Sequence, residues 1–174
     1  MSSSEAARTR RAVLLGACLA LGACTFRPLM HATGDESVRG ELEAVSITGL
    51  DGRLGQLVRN ALLDELNPTG ADVPQRYILQ VELQRSAQAL GIQIDNVITR
   101  FNLALTARFQ LLDATSGETL YQSQVQRVAS YNVSLAPYAT LAAEVDAERR
   151  IAREVGDNIG TQLAVHFARQ ATPT

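Results

Sequence analysis

The residues of this 174-residue chain most able to do chemistry are two cysteines, two histidines and sixteen arginines. Each cysteine closes the same tetrapeptide, Leu15-Gly-Ala-Cys18 and Leu21-Gly-Ala-Cys24. His31 and His166 have no Cys, Asp or Glu at zinc-ligand spacing. Asp64-Glu65 and Asp95-Asn96 are short polar pairs, which a solvated helix face and a turn explain without acid–base chemistry. Neither G-x-S-x-G nor H-E-x-x-H occurs. Gly49, Gly52 and Gly55 are spaced G-x-x-G-x-x-G, which is not the dinucleotide fingerprint and reads as a loop entering a helix. These residues predict a binder: no enzyme, no metal site and no cofactor.

The one covalent chemistry they offer is at Cys24. Arg8, Arg10 and Arg11 precede an apolar run from Ala12 to Ala23. That run is shorter than the roughly 20 residues of a spanning helix. A charged start, a short apolar stretch and small residues before a cut site describe a secretory signal. Leu21, Gly22 and Ala23 before Cys24 resemble the bacterial lipobox, whose cysteine is acylated after cleavage just before it. The copy at Cys18 leaves only Ala12, Val13 and Leu14 after Arg11, too short an apolar region. Residues 1–23 therefore read as a lipoprotein signal peptide. Cys24 becomes the lipid anchor, holding the chain to a membrane through N-terminal acyl chains, each buried methylene contributing roughly 0.8 kcal/mol. Thr25, rather than Asp, follows the cysteine, which points by analogy to the outer membrane.

Removal of residues 1–23 leaves a tether and one domain. The signal carries three of the 16 basic residues and one of the 18 acidic, so the remainder is net −4. Such a balance predicts no nucleic-acid partner, which calls for a basic excess. A hydrophobic content of 46% suffices for a core. With one cysteine left, and that one acylated, the fold rests on packing and not on a disulfide. All the basic residues are arginine. A GC-rich genome accounts for this; so would bidentate recognition of phosphate or carboxylate.

Residues 24–40 read as acylated N-terminus and tether, with Phe26 and Leu29 able to dock on the body, and Glu41 to Thr48 as a strand. Leu54, Leu57, Val58, Ala61, Leu62 and Leu66 form one helical stripe over Arg53 to Asn67, stopped by Pro68. Strict alternation then begins. Tyr77, Leu79, Val81 and Leu83, then Phe101, Leu103, Leu105, Ala107, Phe109 and Leu111, then Tyr121, Ser123 and Val125 alternate at odd positions with even positions held mostly by Gln, Glu, Asn, Thr or Arg. Period two predicts antiparallel strands with one dry face and one polar face. A turn at Asp113 to Glu118 joins the last two, and a bulge near Val128 would carry the last strand to Val133. Leu90, Ile92, Ile94 and Val97 form an apolar connection that either packs on the body or meets a partner. A long helix over Ala139 to Arg169 carries a stripe from Leu141 to Phe167, with close packing or a bend at Gly156 and Gly160. Residues 41–170 thus form an α+β domain in the order β-α-β-β-β-α, and 171–174 a frayed tail. The domain is a two-layer α/β sandwich, with two helices packed on one face of a four-stranded, mostly antiparallel sheet.

With Phe26-Arg-Pro-Leu29 after the lipobox, the segments Val97 to Arg108, Ala129 to Val133, Pro137 to Ala143 and Asp146 to Arg150, in that order, resemble the LptE family of lipopolysaccharide-assembly lipoproteins, its α-proteobacterial type closest. Met30 departs from the pattern, where an aromatic often follows Arg-Pro-Leu. The resemblance implies an outer-membrane lipoprotein on the periplasmic side. It implies a partner, the β-barrel LptD, which such proteins plug and help assemble, and lipopolysaccharide as a second ligand. A polar, amide-rich sheet face suits a hydrated lumen wall; a simple solvated face would carry the same pattern. Arg85, Arg100 and Arg108 are the candidate lipopolysaccharide contacts, since guanidinium forks match phosphates; ordinary surface arginines would look alike. Leu90, Ile92, Ile94 and Val97 are the candidate partner-facing loop. An alternative of similar size is an auxiliary lipoprotein of an ABC-type lipid transporter.

Overall fold

The computed structural model describes residues 35–92 and 98–171. Cys24, the lipobox residues Leu21, Gly22 and Ala23, the segment Phe26-Arg-Pro-Leu29, and Ile94 and Val97 lie outside the described residues.

The chain runs α1 (Asp35–Glu43), β1 (Val45–Thr48), α2 (Gly52–Leu66), β2 (Tyr77–Ile92), β3 (Ile98–Asp113), β4 (Thr119–Asn132) and α3 (Pro137–Ala171). One sheet holds the strands in the order β1-β2-β3-β4. β1 is parallel to β2, and β2, β3 and β4 form an antiparallel meander. The α+β sandwich expected from the sequence is the observed architecture, with one helix more at its start.

That helix, α1, replaces the end of the expected tether and the start of the expected first strand. Val38 and Leu42 stand four apart and pack against the core, so a helical stripe is rewarded there despite Gly40. Glu41 fixes it, accepting from the Tyr77 hydroxyl at 2.8 Å and pairing with Arg76 at 2.7 Å. β1 is thereby cut to four residues, matched with Tyr77 to Gln80 only.

α2 follows Asp51, whose extended backbone serves as N-cap without a side-chain bond. Its C-terminus closes on Asn67, whose side chain bonds both the N–H and the carbonyl of Ala71 while Pro68 prevents continuation. Arg59 donates to the Ile47 carbonyl at 2.8 Å and ties α2 to β1.

The register keeps odd residues on one face throughout: Leu79, Val81, Leu103, Leu105, Ala107, Phe109, Leu111, Val125 and Ala129 are all buried. The β3–β4 turn is set by Asp113, whose carboxylate accepts from the Thr115 and Ser116 N–H groups, with Gly117 at positive φ. The bulge lies beside this turn and not near Val128. Leu111 faces Tyr121 and Leu112 faces Thr119, so Leu120 is the extra residue and turns toward the core. Val128 keeps regular register opposite Ala104 and is 53% exposed instead. A second difference concerns the apolar connection. Leu90 and Ile92 belong to β2, paired with Arg100 and Ile98, because the strands are longer than the clean alternation suggested.

α3 begins at Pro137, a residue suited to a first helical turn. Ala147, Ile151, Val155, Ile159, Leu163 and Phe167 form its buried stripe, but Leu141 is 57% exposed: residues 137–142 contain no buried position. Gly156 and Gly160 mark close helix packing. A Cβ at Gly156 would lie 2.7 Å from the Ala61 Cβ and 3.1 Å from its carbonyl carbon. One at Gly160 would overlap the Glu65 side chain. Burial, then the Asp157 charge, push the Glu65 carboxyl above its ordinary range.

Two predictions follow from this seam. Gly156→Ala gains about 1 kcal/mol of helix propensity but overpacks against backbone, and a net loss of about 1–2 kcal/mol is expected in denaturant unfolding. A raised folded-state pKa means that the folded protein binds the extra proton, so Glu65 contributes less stability as pH rises from the ordinary value of 4.5 through its own higher value. Melts across that window should fall less with rising pH in Glu65→Gln than in the wild type.

Candidate functional site

With the odd face under α2 and α3, the even face of the sheet is the broad surface left open. Register sorts it into cross-strand rows. Gln80, Gln110 and Gln122 form one; Glu82, Arg108 and Gln124 the next; Gln84, Thr106 and Gln126 a third. Ser86, Ala104 and Val128 follow, then Gln88, Asn102 and Ser130, and finally Leu90, Arg100 and Asn132. Adjacent side chains in a row are about 5 Å apart. The first two rows line a shallow trough of about 880 Å³, with Gly49 and Asp51 at its β1 side. Gly49 has φ +81° and backs onto the Val81 carbonyl, which leaves no room for a side chain.

The three candidate arginines are not brought together. Arg108 sits in the second row and donates to the Gln124 side chain at 3.1 Å. Arg100 lies at the far end of the same face and donates to Asn132 at 3.2 Å. Eight residues of strand separate them, about 27 Å, so no single phosphate meets both. Arg85 has odd parity and lies on the opposite, helix-facing side. It pairs with Glu144 at 2.6 Å and Glu148 at 3.5 Å, and Glu148 also holds Arg53 of α2 at 2.7 Å. This network joins β2 to both helices. The two glutamates were not singled out from the sequence; their i,i+4 spacing on α3, facing an arginine at an odd strand position, was the available signal.

The end of the sheet around Arg100 carries most of the exposed apolar surface. Leu90 is 42% exposed, Leu135 100%, Tyr138 88% and Leu141 57%. Phe101 and Tyr131 stack beneath at 5.7 Å on the helix-facing side. Leu135 in the β4–α3 connection and Tyr138 in the first turn of α3 extend the apolar surface that begins at Leu90. Among the described residues no group of three or more His, Cys, Asp and Glu could hold a metal ion, and no helix is long and apolar enough to cross a membrane. His166 packs against Tyr121 and Phe167, and burial followed by the Arg169 charge lowers its pKa. It is a packed side chain of α3.

A model of the LptE family, described as lipopolysaccharide-assembly, matches residues 42–163. The chain belongs to the LptE family. The match begins inside α1 and ends inside α3, and so contains the whole sheet. An uncharacterised protein of Rickettsia prowazekii (strain Madrid E) is 23% identical over 153 residues, 88% of this chain and 94% of that protein. A candidate lipoprotein from Caulobacter crescentus CB15, known from its crystal structure, is similar at a TM-score of 0.66 and 29% identity, covering 79% of this chain and 99% of that one. Rare lipoprotein B from Shewanella oneidensis is similar at 15% identity and a TM-score of 0.46, covering 73% and 93%. In this LptE-family member the open surface is therefore a polar sheet face with an apolar end.

The arginines divide by role, and stability separates them. Arg85→Ala strips Glu144 of its partner and leaves the mostly buried Glu148 with Arg53 alone, and should cost about 1 kcal/mol in unfolding free energy. Arg100→Ala and Arg108→Ala, each hydrogen-bonded to one neutral side chain among the described residues on an open face, should each change it by less than about 0.5 kcal/mol.

Proposed function

We propose that this chain is an outer-membrane lipoprotein, acylated at Cys24, that partners the LptD β-barrel as its plug and assembly factor in the transport of lipopolysaccharide to the outer leaflet. The family match across the whole sheet carries this reading. The sheet supports it: its even face is polar and rich in amides, as suits a surface turned to the hydrated interior of a barrel.

Lipopolysaccharide itself engages the apolar end. There Arg100 supplies a guanidinium fork for a lipid phosphate. Leu90, Leu135 and Tyr138 offer apolar surface to acyl chains. Arg85, committed to two glutamates, takes no part; Arg108 lies too far along the strand to share the same phosphate.

Affinity capture of the full chain from membranes tests the partnership. The expected result is co-purification of LptD. Recovery of the lipoprotein alone, with LptD assembling normally in cells depleted of it, would overturn the reading. In the same preparation, Arg100→Ala should weaken binding of intact lipopolysaccharide several-fold, while leaving capture of the barrel unchanged.

A further inference from the structure

Resting on the lipopolysaccharide reading and extending it, we propose that the trough on the even face binds the saccharide part of the molecule, as a neutral polyhydroxylated chain. The argument starts from the row Gln80, Gln110, Gln122. A primary amide offers two N–H donors and a carbonyl acceptor, and a sugar hydroxyl donates and accepts in turn. Three amides side by side, about 5 Å apart, present the paired donors and acceptors that successive ring hydroxyls need. None of the three is engaged with another side chain among the described residues, so all are available. The next row adds Gln124, whose carbonyl is already oriented by Arg108.

Two other chemistries fit this surface less well. A protein partner needs an apolar core to its contact; the rows at Gln80, Glu82 and Gln84 carry no aliphatic or aromatic side chain, and the half-buried Ile78 and Leu112 stand in the row next to the turn, outside the residues that line the trough. The trough's hydrocarbon-bearing neighbours Val81 and Phe109 are buried on the other face. A phosphate needs an uncommitted cation. Arg108 is the one cation of these rows, and it is bonded to Gln124 and stands opposite Glu82. The trough, lined by Arg108, Glu82 and Asp51, has one net negative charge and is rich in amides, which disfavours an anion and suits an uncharged polyol. Its position agrees. The saccharide of a lipid held at the Arg100 end has a path along the even face toward the trough, through the polar row Gln88, Asn102 and Ser130 and then across Ser86, Ala104 and the exposed Val128.

The test uses the full-length protein in detergent and, as probe, a neutral hexose oligosaccharide from the outer saccharide of lipopolysaccharide, free of lipid, phosphate and acidic sugars. Saturation-transfer NMR reads contact with the sugar protons. The triple variant Gln80→Met/Gln110→Met/Gln122→Met keeps side-chain length and removes the amides at exposed positions; its melting curve checks the fold. The wild type should bind the oligosaccharide, and the triple variant should bind roughly tenfold more weakly, as for the loss of about two hydrogen bonds. No binding by the wild type, or equal binding by the variant, overturns the proposal. So does loss of LptD capture with oligosaccharide binding unchanged, which would make the face a protein contact. If intact lipopolysaccharide still binds while the oligosaccharide does not, this proposal alone fails. If neither binds, the lipopolysaccharide reading fails with it.

Discussion

Everything in this domain depends on two helices sharing one face of a narrow sheet. Four strands about 4.8 Å apart leave a width of roughly 15–20 Å, which two helices fill only when their axes are close to the usual lower limit of about 8 Å. Gly156 and Gly160 make that possible by letting the backbone of α2 approach α3 at Ala61 and Glu65. Wider spacing would slide one helix off the odd face and expose part of the row from Leu79 to Val125. The glycines lower the helix propensity of α3, and the buried stripe from Ala147 to Phe167 offsets that loss.

The long helix and the long strands then divide the molecule along its length. Near the β3–β4 turn both helices cover the sheet and the core is dry. Toward Arg100 the cover thins to the start of α3, and apolar side chains such as Tyr138 and Leu141 find nothing to bury them. A fold that needed only stability would have no reason to extend Leu90 and Arg100 past its core. That the extension carries exposed hydrocarbon and an arginine on the same edge agrees with an amphiphilic ligand.

Much of this was readable in the sequence, because a period of two leaves little freedom. The odd positions of β2, β3 and β4 had to face inward, and the cost of two glycines in α3 implied a close neighbour. What could not be read had physical reasons. α1 is short and contains Gly40, and only its packing through Val38 and Leu42 decides it. The bulge was sought at Val128, where alternation breaks; the protein leaves that valine exposed and places the extra residue at Leu120. Arg85 reads from the sequence as a ligand contact alongside Arg100 and Arg108; its odd position puts it on the inner face, and its partners lie about 60 positions away on α3. The amide rows were hidden for another reason: which glutamine stands opposite which is fixed by the turn at Asp113 and by the bulge, and neither is visible in alternation alone.

β1 covers only the first four residues of β2, so from Val81 onward that strand has an edge with no neighbouring strand among the described residues. An uncovered edge of this length is a template on which a second copy of the chain could add a strand. Arg85 stands in the middle of it, turned inward toward Glu144 and Glu148. A strand laid beside β2 would bring its own inner side chains up against this charged cluster, where apolar groups cannot be buried without stripping water from the ions. The same ion pairs that join β2 to the helices thus discourage copies of the protein from zipping together at high local concentration.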